Sequence, residues 1–214
     1  SRDAIDQGVH AGGAFSSTVP LVALFYSGML TLDVVDPTSP GQDLFVLSKG
    51  HAVAALAAIY ADLGYIDRTW LDGSRGEASL LNGHPGPLLP GVQIATGPMG
   101  QGIGVAQGFA IAGRRSPAFD AYALVGDGEL QEGTVWESVM YAGQNHLDNL
   151  CVLVDRNYGQ LDVHNRMAFP MPDLASAFAA FDWVVHEVDA TAYDAVVHAL
   201  EAFRFGVRNG RPTA

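Results

Sequence analysis

The 214 residues include 23 acidic and 11 basic side chains, a formal charge of -12 at pH 7, which opposes binding to nucleic acid or anionic lipid and leaves small molecules and proteins as partners. The length predicts one domain that buries a core without disulfide or structural metal, and the single cysteine, Cys151, rules out an intrachain disulfide. Its place inside an apolar run predicts a buried, inert thiol and fits a reducing compartment. The longest apolar stretch, near Leu21 to Leu32, is too short and interrupted for a membrane span, and the amino terminus does not read as a signal peptide. A soluble, cytoplasmic protein is expected.

In chain order, Val9-His10-Ala11-Gly12-Gly13 reads as a glycine-rich loop before a helix with Leu21, Leu24, Phe25 and Gly28 on its apolar face. Leu44 to Leu47 reads as a strand that stops at Ser48-Lys49-Gly50-His51. A helix follows, with Leu56, Ile59, Tyr60 and Leu63 on one side and Gly64 as its stop. Asn82-Gly83-His84-Pro85-Gly86 is a loop. Each of His10, His51 and His84 alone reads as an ordinary turn or surface histidine; three in such settings suggest one polar, convergent site. Thr96-Gly-Pro-Met-Gly-Gln-Gly-Ile-Gly104 then runs into a helix ending near Gly113. Each helical glycine costs up to about 1 kcal/mol relative to alanine, so a ligand or another backbone is expected to approach closely; a tight helix contact in the core is the plainer alternative. The glycine spacing does not fit a dinucleotide fingerprint, and the only lysine, Lys49, lies outside any GxxxxGK[ST] motif. Phosphate would have to be held some other way.

Tyr122 to Gly126 is an apolar run that ends in Asp127-Gly128, and Leu150 to Val154 ends in Asp155-Arg156-Asn157-Tyr158-Gly159. Neighbouring parallel strands place such ends side by side, at the edge where open α/β sheets bind ligands. A carboxylate, an amide oxygen and a backbone carbonyl are hard ligands suited to magnesium or calcium. Thr134-x-x-Glu137 reads as a capping box for a helix with Trp136, Val139, Met140 and Gly143 on one face. Residues 163–170 lack periodicity and could cover a cofactor or partner. Asp173 to Phe181 is expected as a helix and Trp183 to Val188 as a strand. Thr191-x-x-Asp194 is expected to cap a helix carrying Tyr193, Val196, Val197, Leu200 and Phe203, and Gly210 to Ala214 to approach a further strand. The alternation predicts an α/β fold, a doubly wound, mainly parallel sheet with helices on both faces.

Gly126-Asp127-Gly128, followed after 28 residues by Asn157, is similar to the thiamine diphosphate signature. With His10, LSKGH, GHPG, GPMGQG, GDGELQEG and the Asp-x-Asn turn in order, nearly the whole chain resembles the amino-terminal, diphosphate-binding half of transketolase. The resemblance implies a thiamine diphosphate-binding (PP-type) domain over 1–214, with thiamine diphosphate and Mg2+ (or Ca2+ or Mn2+) as cofactors. Asp127, the Asn157 side chain and the Gly159 carbonyl would hold the metal. Gly97, Met99, Gly128 and Glu129, together with His51 at the diphosphate, would contact the cofactor. His10 and His84 would face the sugar, and Glu132 and Glu137 would join an acidic network across a subunit interface. A divalent ion between Asp127 and the diphosphate would neutralise both, replacing the basic clamp this chain lacks.

By the same resemblance, the implied activity is transfer of a two-carbon ketol unit from a ketose (phosphate) to an aldose acceptor. The pyrimidine-binding domain that completes the site in this family is absent from this sequence. We therefore expect a separate carboxyl-terminal subunit carrying it, a dimer of heterodimers, and no activity from this chain alone; a truncated longer chain is the other possibility. GVHAGGAFS is closer to split-type wording than to the SGHPG of full-length enzymes. Val9, Ala11, Met99 and Arg156 depart from the usual pattern and leave the sugar open, including sulfo-sugars and branched sugars. The alternatives are another thiamine enzyme, such as a 2-oxo acid dehydrogenase component or a deoxyxylulose phosphate synthase, and a scaffold subunit that keeps the fold without catalysis.

Overall fold

Three apolar runs pair in parallel to form the sheet of the computed structural model, which describes residues 11–72, 83–160, 163–164 and 173–214. They are β1 (Leu44–Leu47), β2 (Ala121–Gly126) and β3 (Leu150–Asp155), in the order β1-β2-β3, with Leu47 opposite Leu124 and Gly126 opposite Asp155. The helices are α1 (Ala11–Tyr26), α2 (Val53–Leu63), α3 (Thr69–Asp72), α4 (Gln101–Gly113), α5 (Gly133–Gln144), α6 (Leu174–Ala180) and α7 (Tyr193–Phe205), with short 3-10 turns at Gly50–Ala52 and Glu129–Gln131. Beyond β3 a two-stranded antiparallel piece joins β4 (Gly159–Gln160) to β5 (Val163–His164).

Strand residues alternate between two layers, as the period of two requires. Phe45, Leu47, Tyr122, Leu124 and Cys151 enter one core with Leu21, Leu24 and Phe25 of α1, Leu56 and Tyr60 of α2, and Leu200 and Phe203 of α7. Val46, Ala121, Ala123, Val125, Leu150 and Val152 enter the other, with Ile103 of α4, Val135 and Val139 of α5, and Phe178 of α6. Helices thus cover both faces, and each face of β2 is fully buried, the pattern of a parallel sheet. Cys151 lies in the first core, where desolvation pushes its thiol up to about 12, in keeping with an inert side chain.

Several local expectations differ from the structure. The expected strand at 183–188 reduces to a bridge from Val184 to Thr213, which in turn bridges Cys151. Asp182 turns the chain at φ 65° just before it, and Pro212 has no N–H to donate to the pairing. Thr134 does not cap α5: Glu132 occupies the cap position without a side-chain cap bond, and Thr134 Oγ1 donates instead to Gly100 O at 3.3 Å. Thr191 likewise does not cap α7; its N and Oγ1 both donate to Asp189, and Ala192 is the cap residue. Met140 is 40% exposed, while Val135 and Ala142 fill the inner side of α5. Gly28 lies past the end of α1.

At the amino ends of the strands, Arg204 of α7 pairs with Asp43 (3.1 Å) and Asp120 (2.5 Å), and Arg208 pairs with Asp120 (2.5 Å). These pairs tie α7 to the sheet. They line a depression of about 340 Å³, on the opposite edge from the candidate site.

Candidate functional site

The carboxyl ends of the three strands deliver Ser48-Lys49-Gly50-His51, Asp127-Gly128 and Asn157-Tyr158-Gly159 to one edge. The sheet ladder itself sets their spacing: Lys49 N donates to Leu124 O (3.0 Å) and Asp127 N to Asp155 O (3.2 Å). Asp127 is 3% exposed and accepts Tyr158 N at Oδ2 (2.8 Å) and Gly128 N at Oδ1 (3.0 Å). Tyr158 is held in the left-handed region at φ 58°, and Gly159 N donates to Asn157 Oδ1 (2.8 Å). The Asp127 carboxylate is thus tied directly to the turn that carries Asn157 and Gly159.

His51 and His84 reach the same edge through glycines that leave room for their rings. A Cβ at Gly13 would stand 2.5 Å from His51 Cδ2, and one at Gly50 would stand 2.6 Å from His84 Cδ2. His84 also lies against Gly97. The two histidines, the start of α1 and the loop before α4 therefore pack together. His10, expected beside them, lies outside the described residues, as do Asn82 and positions 165–170. The Thr96 hydroxyl, buried beside Gly50 and His84, has no hydrogen-bond partner among the described residues.

Glu129, expected at the cofactor, is buried. Its buried carboxylate accepts Ser48 Oγ, Gly100 N (2.9 Å) and Gly126 N (3.3 Å), pinning β1, the glycine loop and β2 together. Desolvation by burial raises its carboxyl above the usual range, against the pull of those three donors. The sign follows from linkage: a carboxyl that binds its proton more tightly when folded stabilises most at low pH, and that contribution is lost as pH rises through the folded value. In urea unfolding from pH 4.5 to 7.5, the stability of wild type relative to Glu129→Gln is expected to fall steadily. A pH-independent difference would sink this account of the buried pin.

Of the other expected site residues, Met99 is 53% exposed in the loop that turns at Gly100 (φ 80°). Glu132 is half-buried, with its Cβ 2.7 Å from where a Gly100 Cβ would stand, whereas Glu137 is exposed on α5. Lys49 is at this edge too, though it is not among the expected site residues. It crosses Gly126, whose Cβ would lie 3.7 Å from Lys49 Cδ, to form a buried ion pair with Asp155. Its Nζ also donates to Gly13 O (3.1 Å), Ser16 Oγ (2.9 Å) and Ser17 Oγ (3.2 Å). The signal in the sequence is that it is the only lysine, set at a strand end. Beside the Asn157 turn a cleft of about 570 Å³ opens, lined in part by Phe15, Ser16, Asp155, Asn157, Tyr158 and Phe178.

Among the described residues no three His, Cys, Asp or Glu side chains form a metal-binding group. One carboxylate, one amide oxygen and one carbonyl suit a hard divalent cation that takes its remaining ligands from water and an anionic oxygen. The donor set therefore fits a cation shared with a phosphate. No described helix is long and apolar enough to cross a membrane.

Comparison with known proteins gives these features a context. The family described as "Transketolase, thiamine diphosphate binding domain" matches residues 2–213. One of the subunits of the apulose-4-phosphate transketolase of Actinobacillus succinogenes is 36% identical over 207 residues, covering 96% of this chain and 74% of that protein. The 6-deoxy-6-sulfo-D-fructose transketolase subunit SqwG of a Clostridium species is 35% identical, covering 90% and 70%. The solved transketolase of Leishmania mexicana superposes with a TM-score of 0.84 at 28% identity, over 94% of this chain and 34% of that one. The chain therefore spans about a third of the solved transketolase and most of the subunit-type relatives.

Proposed function

Because the chain belongs to the transketolase family as a thiamine diphosphate-binding domain, we propose that it is the cofactor-binding subunit of a split transketolase. It transfers a two-carbon ketol unit from a ketose or ketose phosphate to an aldose acceptor. The observation that carries this reading is the convergence of Asp127, the Asn157 turn, His51 and His84 at one sheet edge. When bound, the cofactor supplies the carbanion chemistry that breaks the bond beside a ketose carbonyl. Asp127, Asn157 and the Gly159 carbonyl hold a divalent cation, magnesium first among the candidates. Backbone at Gly97, Met99 and Gly128 cradles the cofactor, His51 reaches its diphosphate, and Glu129 acts from behind by fixing the loops. His84, with His10, orients sugar hydroxyls and moves protons near neutral pH.

The pyrimidine-binding half is supplied by a separate subunit in a cytoplasmic dimer of heterodimers, with Glu132 and Glu137 at the interface between cofactor sites. The names of two relatives, each a transketolase subunit, support a separate partner subunit. Those names point to specialised sugars for these two proteins, and the same class of substrate is proposed here. The test is calorimetric titration of thiamine diphosphate with magnesium into this chain alone and into its mixture with a candidate pyrimidine-domain subunit. Saturable, magnesium-dependent binding is expected in the mixture. A verified complex that binds nothing would leave a scaffold subunit with the fold but not the activity.

A further inference from the structure

We infer that Asp155, held by Lys49 and Ser16, is a positioning residue that sets which end of the Asn157 amide faces the cation; this rests on the cation-binding reading above. Asn157 Nδ2 donates to Asp155 Oδ2 (3.4 Å) and to Ser16 Oγ (3.3 Å). A carboxylate has only acceptors, so it accommodates the NH2 end of the amide and rejects the oxygen. At the other end, Gly159 N donates to Oδ1 (2.8 Å), which agrees with the same orientation. The amide oxygen is thereby turned toward Gly159, in the turn whose Tyr158 N donates to Asp127 Oδ2.

The strength of this arrangement lies in what holds Asp155. Its Oδ2 accepts from Lys49 Nζ, from Ser16 Oγ (2.6 Å) and from Ser17 Oγ (3.5 Å), and both side chains of the ion pair are 2–3% exposed. A buried carboxylate without a partner would be costly; Lys49 compensates it from β1 while two serines of α1 fix its direction. Lys49 also binds Gly13 O, next to the ring of His51. The network joins the start of α1, the end of β1 and the cation turn, so the cation ligand and the histidine-bearing loops share one support. Outer partners of this kind orient metal ligands, and losing one typically costs about 10–100-fold in metal affinity.

The experiment measures Mn2+ binding in the presence of thiamine diphosphate, by electron paramagnetic resonance, in the assembly that binds the cofactor. Asp155→Asn, which offers an amide that takes either end of Asn157, is expected to weaken Mn2+ binding about 10–100-fold. Ser16→Ala, which removes one donor to Asp155 and one acceptor for Asn157, should cause a smaller loss. The charge-neutral pair Lys49→Met with Asp155→Asn should regain thermal stability relative to Lys49→Met alone while Mn2+ binding stays weak. A purely structural network would instead restore both together, and that result overturns the inference, as would unchanged Mn2+ affinity in Asp155→Asn. Wild type that binds no Mn2+ with the cofactor present overturns the cation reading itself, and the positioning role with it.

Discussion

Asp127→Ala is expected to weaken magnesium-dependent thiamine diphosphate binding by more than about 100-fold, since loss of even an outer-shell partner costs about 10–100-fold. Asp127 is the carboxylate that the strand ends bring to the Asn157 turn, and in this reading it supplies the cation's anionic protein ligand. Removing it leaves a diphosphate facing an edge whose one lysine is already committed to Asp155. The substitution also deletes the acceptor for Tyr158 N, the bond that holds the turn in its left-handed conformation. Each net hydrogen bond lost costs about 1 kcal/mol, so a second variant separates ligand loss from loosening of the turn. Asp127→Asn keeps an oxygen for Tyr158 N but loses the charge and the acceptor for Gly128 N. It should melt above Asp127→Ala and still fail to bind the cofactor with magnesium. Calorimetric titration alongside thermal unfolding monitored by circular dichroism reads both effects. Undiminished magnesium-dependent binding in either variant would remove Asp127 from the cation site.

The fold was legible where the signal is periodic and the boundary is chemical. The runs 44–47, 122–126 and 150–154 are apolar and each ends in a polar turn, so their pairing and the meeting of Asp127 with the Asn157 turn follow from parallel topology. Gly64 ends α2 in the left-handed region as expected. The two misread caps share a cause: each concerns a side chain with more than one local partner. Thr134 and Thr191 match capping patterns, but a threonine hydroxyl bonds whichever group is nearest, and tertiary placement offered Gly100 O to one and Asp189 to the other. The resemblance places Glu129 at the cofactor, and the folded chain adds that its carboxylate is buried and accepts from Ser48, Gly100 and Gly126. Lys49 was legible as a singular residue but not as half of an ion pair, because Asp155 lies 106 positions away. No local pattern encodes such a contact.

Gly102→Ala is expected to destabilise the protein by about 3 kcal/mol, the upper part of the range for overpacking a tight contact, and to weaken cofactor binding as a consequence. Helix propensity alone argues the reverse, since alanine is favoured over glycine in a helix interior by about 1 kcal/mol. The decisive fact is what a Cβ would meet: Ser48 Oγ at 2.2 Å, Ser48 Cβ at 2.3 Å and Ser48 Cα at 2.7 Å. Part of that obstacle is backbone, so rotation of the serine side chain cannot relieve it; α4 or the end of β1 must move. Ser48 is also bonded to the Glu129 carboxylate, which holds Gly100 and Gly126. Displacing it shifts the glycine loop and the residue before Asp127 together. Gly108, six residues along the same helix, has nothing within 4 Å of its added Cβ, and Gly108→Ala should gain up to about 1 kcal/mol. Urea unfolding of the two variants therefore gives opposite signs from one substitution type in one helix. If both gain stability, propensity governs α4 and the close approach of Gly102 to Ser48 is not what positions the glycine loop.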